Sequence, residues 1–492
     1  MEKNKFSNIS LTPVGDSLKG AYTFVDNEIQ DSIKKLKFFK HIKQYSKTKR
    51  SGWSIESTVF TLLVWVYLKN DSIKMFYEKR LSIFFKGGKD VLYETMRDEG
   101  INWRQVSVST AKEIYVQNNI ANETETAFVI DDTIKERSGR KVEGISSHFE
   151  HSHGRYVMGH QMIELGLAFR NGFLPLDRQI FIGDKKAHLL NNGFKDSRSA
   201  AAQDFKSAIE MDKNEMFRSM LQRAIRKGFM AKYCLADSWF CSKKNIRTVI
   251  YNNLTGILRT KRSKLNYLFN GKLYTLVELY FLLRRRFRKN SQCKWKTFSA
   301  VVKIDLSEDI KIHEYIQVKL VFSAPKDQKK DQWAAFLSTD IKLRNEDVLR
   351  VYALRWGVEV YFKEIKQNMG FLKEQSWSYV SHYASIHLTS IRYMLLFDIL
   401  LLSGNCCSFG SMRNALTGKL EMLTFAAMLW ELFKAIIYGV LDSFKELIGE
   451  EILNKIKCKI SSTIEEFLEK ALQLDESYIA NELKAERIGA LL

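Results

Sequence analysis

The sequence contains very little proline and cysteine. Its 492 residues include only 3 prolines and 6 cysteines. So few prolines indicate a helix-rich protein with few rigid linkers. The cysteines are irregularly spaced and include no C-x-x-C pair, so we expect neither a disulfide framework nor a structural zinc site. Reduced thiols of this kind are typical of a cytoplasmic protein.

Apolar runs that could cross a membrane are also lacking. Val59–Leu68 is too short, and Leu388–Leu402 is interrupted by Arg392 and Asp398. The first residues have no apolar core of the kind a signal peptide requires. We therefore expect no membrane segment.

Acidic residues are few relative to basic ones. Lys and Arg number 77 against 56 Asp and Glu, which gives a net charge of +21 and a pI near 9.4. Apolar residues make up 45% of the chain, which is ample for several packed cores and excludes intrinsic disorder. Such an excess of positive charge is tolerated best when the partner is a polyanion, above all a nucleic acid.

The order of predicted helices and strands indicates an α/β core that is interrupted by a β-strand-rich insertion and flanked by helical modules. An Asn-Gly pair predicts a hairpin between Met162–Phe169 and Phe173–Ile182. Further strands are predicted at Ala127–Ile130, Phe229–Leu235, Val249–Leu258, Trp295–Ile304, Tyr315–Ser323 and Trp333–Leu337, and helices at Asp204–Lys227, Glu346–Met369 and Tyr379–Leu402. The regions are an N-terminal helical part at 1–120, a core at 121–245 and 337–402, the insertion at 246–336, and a C-terminal helical part at 403–492.

Three acidic residues stand where chemistry is expected. Asp131 and Asp237 each follow an apolar run that reads as a strand, and acids at strand ends point into the crevice where α/β sheets bind ligands. The third acid, Glu359, lies on a predicted helix. An Asp at a strand end is more often a turn former or a helix cap, so neither aspartate is informative alone.

The helix around Glu359 collects four functional side chains on one face. At about 100° per residue, Arg355, Glu359 and Lys366 fall within roughly 60° of Tyr352. A carboxylate between two cations suits a site that handles a hard metal ion and phosphate oxygens. In isolation an Arg–Glu pair on a helix is usually a surface ion pair.

Together these motifs resemble a known family. Tyr352-x2-Arg355-x3-Glu359-x6-Lys366 is similar to the YREK signature of DDE transposases from the bacterial insertion-sequence family four. Ile130-Asp-Asp-Thr133 and Asp237-Ser-Trp-Phe240 resemble the same group, and the similarity covers roughly Ala127–Leu402. Leu337-Ser-Thr-Asp340 also resembles this group. Four linked motifs in the right order are far more specific than any single acid.

The resemblance implies a ribonuclease-H-like catalytic core with a β-strand insertion between the second aspartate and the glutamate. It also implies two Mg²⁺ ions, for which Mn²⁺ substitutes, held by Asp131, Asp237 and Glu359. Asp132 stays open as an alternative to Asp131. Two such ions activate the attacking and leaving oxygens of an in-line displacement, so strand cleavage and strand joining are one chemistry.

The resemblance further implies how DNA is held. Tyr352, Arg355 and Lys366 would bind phosphates near the cut. If the second strand is cut through a hairpin, an aromatic residue would hold a flipped base, and the candidates are Trp239, Trp295 and Trp333.

Two other clusters are ambiguous from sequence. The run Arg284, Arg285 and Arg286 is either a solvated surface or a contact to the DNA backbone. The histidines at 148, 151, 153 and 160 fit no common zinc spacing, so hydrogen bonding or phosphate contact is the favoured interpretation.

The leading hypothesis is therefore a transposase that binds the inverted terminal repeats of an insertion sequence and cuts and joins double-stranded DNA. The resemblance assigns end recognition to the N-terminal helices and homodimerisation to the helices from about residue 403. The alternatives are an inactive, domesticated DNA-binding protein on the same scaffold and a plain structure-directed nuclease.

Overall fold

The structure is a computed structural model that divides into two compact units. One comprises Met1–Ile114, Phe194–Ala200 and Glu364–Leu492, and the other comprises Tyr115–Gly193 and Ala201–Lys363. The residues it describes are 32, 35–45, 53–68, 72–78, 87–139, 141–150, 154–183, 190, 192–263, 265–289, 295–307, 313–326, 332–402, 413–414 and 436–460.

The first unit is helical in its described parts. Its helices are α1 (Phe38–Lys43), α2 (Ile55–Val64, continued by a 3₁₀ turn at Trp65–Leu68), α3 (Ile73–Phe76), α4 (Lys89–Met96), most of α5 (Trp103–Gln117), α12 (Tyr379–Leu402) and α13 (Lys445–Ile448). Residues 436–442 and 450–460 are also helical.

Helix α12 is the centre of this unit, and the prediction of a helix at this position is confirmed. Every residue from Tyr379 to Leu400 is buried. Its two charged side chains are satisfied inside the unit: Arg392 donates to the carbonyl of Leu62, and Asp398 accepts from Ser32 and Lys35.

Among the described residues, α12 is the one helix whose length and composition would allow it to cross a membrane. However, 89% of its most apolar window is buried inside the protein, as expected for a core helix. A membrane protein is therefore not indicated. The described cysteines are free thiols at Cys234, Cys241 and Cys458, and Cys293, Cys406 and Cys407 lie outside the described residues.

The second unit is built on one twisted sheet. Its described strands run in the order β2-β3-β1-β5-β6-β12-β11-β10-β7-β8, with β4 paired to β3 and β9 paired to β10. Strands β1, β5 and β6 are mutually parallel, and the other pairs are antiparallel. The strands are β1 (Ala127–Glu136), β2 (Ser146–Glu150), β3 (Arg155–Phe169), β4 (Gly172–Phe181), β5 (Tyr233–Ala236), β6 (Thr255–Arg259), β7 (Asn266–Phe269), β8 (Lys272–Thr275), β9 (Arg288–Lys289), β10 (Trp295–Asp305), β11 (Tyr315–Pro325) and β12 (Ala334–Ser338).

Helices accompany this sheet along the chain. They are α6 (Ala200–Glu210), α7 (Lys213–Arg226), α8 (Lys243–Tyr251), α9 (Leu276–Leu283), α10 (Asn345–Tyr352) and α11 (Trp356–Gln367, which ends beyond the unit), with 3₁₀ turns at Ile120–Asn122, Arg284–Arg286 and Ala353–Arg355. This mixed α/β architecture is consistent with a ribonuclease-H-like nuclease fold.

Several predicted elements are confirmed. The Asn-Gly hairpin joins β3 to β4, and the predicted strands from Trp295, Tyr315 and Trp333 correspond to β10, β11 and β12. These last strands do not form a separate sheet, because β12 pairs antiparallel with β6 and so extends the sheet that contains β1.

Three predicted elements are wrong in their extent. The predicted helix Asp204–Lys227 is two helices, because Asp212 forms a capping box with Glu215 and starts α7. The predicted strand Val249–Leu258 is helical in its first part, because the helix α8 that Ser242 caps continues to Tyr251. The predicted strand Phe229–Leu235 begins only at Tyr233.

The long helix predicted over Glu346–Met369 is interrupted. Helix α10 ends at Tyr352, a 3₁₀ turn covers Ala353–Arg355, and α11 begins at Trp356. Residues three apart eclipse each other in a 3₁₀ turn, so Arg355 still lies beside Tyr352, with its guanidinium carbon 5.8 Å from the ring centroid.

Candidate active site

Asp131 and Asp237 are neighbours on two parallel strands. Strand β1 pairs with β5 up to Ile130 and Ala236, so the next residues along the two strands are the two aspartates. Neighbouring strands lie about 5 Å apart. Asp131 is not at a strand end as predicted, since β1 continues to Glu136 against β3. It marks the point where the shorter partner β5 ends.

Arg355 links Asp131 to Glu359. Its Nη1 donates to Oδ2 of Asp131 at 2.6 Å, and its Nη2 donates to Oε1 of Glu359 one helical turn further along the chain. The structure therefore brings Asp131, Asp237, Arg355 and Glu359 together. The guanidinium lies between two of the three acids predicted to bind metal.

Burial raises the pKa of Asp131 from its ordinary value of 3.8 to about 7. Arg355 opposes this rise, whereas the negative charges of Asp132 and Asp237 add to it. A partly dehydrated carboxylate that sits near two others favours an added positive charge.

Tyr352 lies beside Arg355 at the edge of this group. Its ring packs against Phe336 with the centroids 4.7 Å apart, and burial raises the pKa of its hydroxyl to about 12. The phenol is therefore a neutral hydrogen-bonding group at neutral pH.

Asp132 belongs to the opposite face of β1, because side chains alternate along a strand. Its Oδ2 accepts from Nζ of Lys213 at 2.8 Å, and Lys213 begins helix α7. Asp131 and Asp132 therefore have different cationic partners, Arg355 and Lys213.

The other predicted DNA-binding residues lie elsewhere along the chain. Lys366 is in the last turn of α11, seven residues after Glu359 and so on the same side of that helix. Arg284, Arg285 and Arg286 form an exposed 3₁₀ turn after α9, where Arg284 lies over the ring of Phe281.

The three candidate tryptophans have different surroundings. Trp333 is stacked on Tyr280 with the centroids 4.2 Å apart, and Arg262 also lies against it. Trp239 is half exposed, with Nζ of Lys261 4.0 Å from its ring centroid. Trp295 is also half exposed and lines a cavity of about 390 Å³ together with Tyr352.

Two of the four clustered histidines are described, and both make hydrogen bonds. Nε2 of His148 is 2.9 Å from Oγ of Ser146, and Nε2 of His160 is 3.0 Å from the carbonyl oxygen of Glu143. His151 and His153 lie outside the described residues.

Sequence reasoning missed two features near these acids. Glu164, Arg178 and Tyr361 form a hydrogen-bonded group that is fully buried. No sequence signal marked it, because only the register of β3 reveals that Glu164 is the partner of Asp131. The second feature is Trp356, which follows Arg355 and exposes 64% of its surface. The sequence showed it as a residue of the motif but did not indicate that it is exposed.

The donor set suits a hard divalent cation, since all three predicted ligands are carboxylates. Among the described residues, however, no three His, Cys, Asp or Glu side chains are arranged to hold a metal ion as they stand. In this arrangement Arg355 hydrogen-bonds to Asp131 and Glu359 at once. The oxygen donors of the three carboxylates are of the chemical type that such an ion prefers.

The sheet, the three acids and the arginine beside them define a candidate active site rich in carboxylates. A family model described as DDE superfamily endonuclease matches residues 89–270. This match supports a DDE-type nuclease or transposase family, whose members use divalent metal ions, typically Mg²⁺ or Mn²⁺. The matched part contains Asp131 and Asp237 and ends before Glu359.

No curated protein matches the chain at a significant level. Among solved structures, the crystal structure of the NurA nuclease from Sulfolobus solfataricus has a TM-score of 0.23 and 12% identity to the chain. That alignment covers 48% of this chain and 74% of the nuclease chain. A likeness this low carries no argument about function.

Proposed function

We propose that the chain is a DDE transposase that binds the inverted terminal repeats of an insertion sequence and cuts and joins DNA strands. The observation that carries this proposal is the adjacency of Asp131 and Asp237 on neighbouring strands, with Glu359 tied to the first of them through Arg355. The net charge of +21 supports a polyanionic substrate.

In this proposal Asp131, Asp237 and Glu359 hold two divalent ions, Mg²⁺ or Mn²⁺. When bound, the ions activate a water or a 3′-hydroxyl and stabilise the leaving oxygen of the phosphodiester. The different partners of the two adjacent aspartates support Asp131 as the ligand. Asp132 is already neutralised by Lys213 on the other face of β1.

The chain's own cations would position the substrate. Arg355 carries a planar guanidinium that now donates to two different carboxylates and can exchange them for two oxygens of one phosphate. Tyr352, at the end of α10, supplies a neutral hydroxyl, and Lys366, in α11, supplies a further positive charge. The exposed arginines 284–286 extend the contact to the DNA backbone.

We favour Trp295 as the residue that stacks a flipped base during hairpin formation. It is half exposed and opens onto the cavity that also touches Tyr352, so a base in that cavity would lie near the phosphate-binding residues. Trp333 is less suitable because Tyr280 and Arg262 already cover it. Trp239 is half exposed but has a lysine against its ring.

A homodimer fits the requirement that two element ends are held together before joining. Residues 436–448 are helical apart from a turn at 443–444, and they carry apolar side chains that are exposed in the single chain: Ile436, Val440, Phe444 and Leu447. A second copy of the chain would cover these side chains.

The test combines purified protein, Mg²⁺ and DNA that carries the inverted repeats flanking the gene. The transposase proposal expects cleavage at the repeat ends and joining of 3′-ends to a target, both lost in Glu359→Ala and Asp237→Asn with DNA binding retained. Wild-type binding without cleavage would favour the domesticated DNA-binding protein. Cleavage without joining would favour a plain nuclease.

A further inference from the structure

A fully buried ion pair lies beside the acids of the candidate site. Arg178 on β4 donates from Nε to Oε2 of Glu164 on β3 at 3.1 Å, and from Nη2 to Oε1 at 3.2 Å. Both side chains are 0% exposed. Such a pair is rarely retained for stability, because desolvation offsets most of the attraction.

The sheet register places this pair in line with the candidate catalytic residues. Glu164 is the direct partner of Arg178 on one side and of Asp131 on the other. Directly paired residues of antiparallel strands share a face of the sheet. Arg178, Glu164 and Asp131 thus form one charged row across β4, β3 and β1, and Asp237 follows directly after the next strand, β5.

Helix α11 is hydrogen-bonded to Glu164 of this row. The hydroxyl of Tyr361 donates to Oε2 of Glu164 at 3.1 Å, and Tyr361 is completely buried. Tyr361 lies two residues after Glu359 on the same helix. A continuous path therefore runs from Asp131 across the strand pair to Glu164, through Tyr361, and back to the helix that carries Glu359.

Close packing holds the same helix against the sheet. A Cβ at Gly357 would lie 3.2 Å from Cβ of Phe173, and the ring of Phe173 packs against the ring of Tyr361 in a tilted arrangement with the centroids 5.3 Å apart. This contact limits how far the helix can lift, whereas the directional Tyr361–Glu164 bond limits how far it can slide or rotate.

We propose that Glu164, Arg178 and Tyr361 are positioning residues: together they hold helix α11 at the height and rotation at which Glu359 faces Asp131 and Asp237. The inference rests on the proposed function, since it concerns the same three acids. Arg178 neutralises Glu164 and fixes its rotamer, and Glu164 then offers one defined oxygen to Tyr361.

Tyr361→Phe removes only the hydroxyl that joins helix to sheet. The DNA-free variant should bind Mn²⁺ about tenfold more weakly than the wild type, as is typical when a residue that orients metal ligands is lost. The Mn²⁺ concentration for half-maximal cleavage should rise in parallel, excess Mn²⁺ should restore much of the rate, and the KM for DNA should be unchanged.

Tyr67→Phe is the matched control. Tyr67 is a buried tyrosine of the other unit whose hydroxyl donates to the carbonyl oxygen of Arg392. Each variant removes one buried hydroxyl donor, so similar losses in melting temperature are expected. Only Tyr361→Phe should change Mn²⁺ affinity. A purely structural role of Tyr361 would lower the melting temperature and leave Mn²⁺ affinity at the wild-type value.

Glu164→Gln is the second variant, because it keeps an oxygen for Tyr361 but removes the charge that Arg178 orients. A folded Glu164→Gln protein should also show weakened Mn²⁺ binding. Wild-type Mn²⁺ affinity in both variants overturns the inference while leaving the proposed function intact. Wild-type protein that neither binds Mn²⁺ nor cleaves DNA overturns the proposed function, and this inference with it.

Discussion

Arg355 donates to Asp131 across a distance of 2.6 Å, and the same guanidinium reaches Glu359. One cation thus neutralises two acids that are far apart in the sequence. Arg355 stabilises the carboxylates in this structure. It would also compete with a metal ion, because the ion would need the same carboxylate oxygens.

The first prediction concerns this competition. Arg355→Ala should raise the affinity of the DNA-free protein for Mn²⁺ by about tenfold, since a charge-assisted hydrogen bond contributes about 1.5–3 kcal/mol and no longer opposes the ion. DNA cleavage should fall nevertheless, because the phosphate ligand is lost. Mn²⁺ binding by calorimetry and cleavage by gel assay measure the two effects.

Arg344→Ala is the control for this experiment. Arg344 forms an exposed ion pair with Asp347 and lies 15 residues before Glu359, the nearest of the three acids in the sequence. Its removal should leave Mn²⁺ affinity unchanged. Equal Mn²⁺ affinities in Arg355→Ala and wild type would show that the guanidinium does not compete for the carboxylates.

The second prediction separates the adjacent aspartates. Asp131→Asn should lower metal-dependent cleavage by at least about a thousandfold, as expected when a metal ligand of a two-ion site is lost. Asp132→Asn should lower it by less than about tenfold, because that carboxylate is paired with Lys213 on the opposite face. Single-turnover rates at saturating Mg²⁺ measure both, and the reverse order would assign the site to Asp132.

The third prediction concerns packing beneath helix α11. A Cβ at Gly166 would lie only 2.1 Å from the Phe173 ring, so Gly166→Ala should destabilise the protein by about 1–3 kcal/mol. Urea unfolding measures the loss. Phe173→Leu in the same chain should recover part of it because the smaller side chain leaves room. Additive losses in the double variant would mean that the two residues do not clash.

The fourth prediction concerns pH. Burial, together with the nearby charge of Lys213, lowers the pKa of His148 from 6.5 to about 4. The unfolded chain therefore binds a proton more readily than the folded protein. The contribution of His148 to the free energy of unfolding is complete above about pH 6.5. It is lost as the pH falls toward 4, by up to about 3 kcal/mol.

His148→Gln keeps a hydrogen-bonding side chain and cannot take up this proton. The urea midpoint of the variant should therefore fall less steeply than that of the wild type between pH 6.5 and 4. Parallel pH profiles would show that the protonation of His148 is not linked to folding. Both proteins are compared at constant ionic strength, so that screening of other charges is the same.

Much of the fold was predictable where local signals are strong. The Asn-Gly pair marks the β3–β4 hairpin, and a long, mostly apolar segment without proline or glycine marks α12. Element ends were less predictable, because they depend on caps. Asp212 divides a predicted helix into two, and Ser242 starts a helix where apolar residues had indicated a strand.

The candidate site was likewise predictable in part. Residue types and spacing single out Asp131, Asp237, Glu359 and the YREK residues, because this chemistry demands carboxylates and cations in a recognisable order. The sequence favoured Asp131 and left Asp132 open as an alternative. Strand β1 continues beyond its apolar part to Glu136, so Asp131 and Asp132 point to opposite faces of the sheet. They therefore have different partners, Arg355 and Lys213.

The amino-acid sequence by itself determined the chemical inventory: a basic chain, three acids in separate segments, and a helix with a carboxylate between cations. Only the tertiary structure decided that Glu164 pairs with both Arg178 and Asp131, and that Tyr361 bonds the motif helix to that row. The reason is physical. Strand register and helix docking join residues far apart along the chain, and no local pattern of side chains encodes those distances.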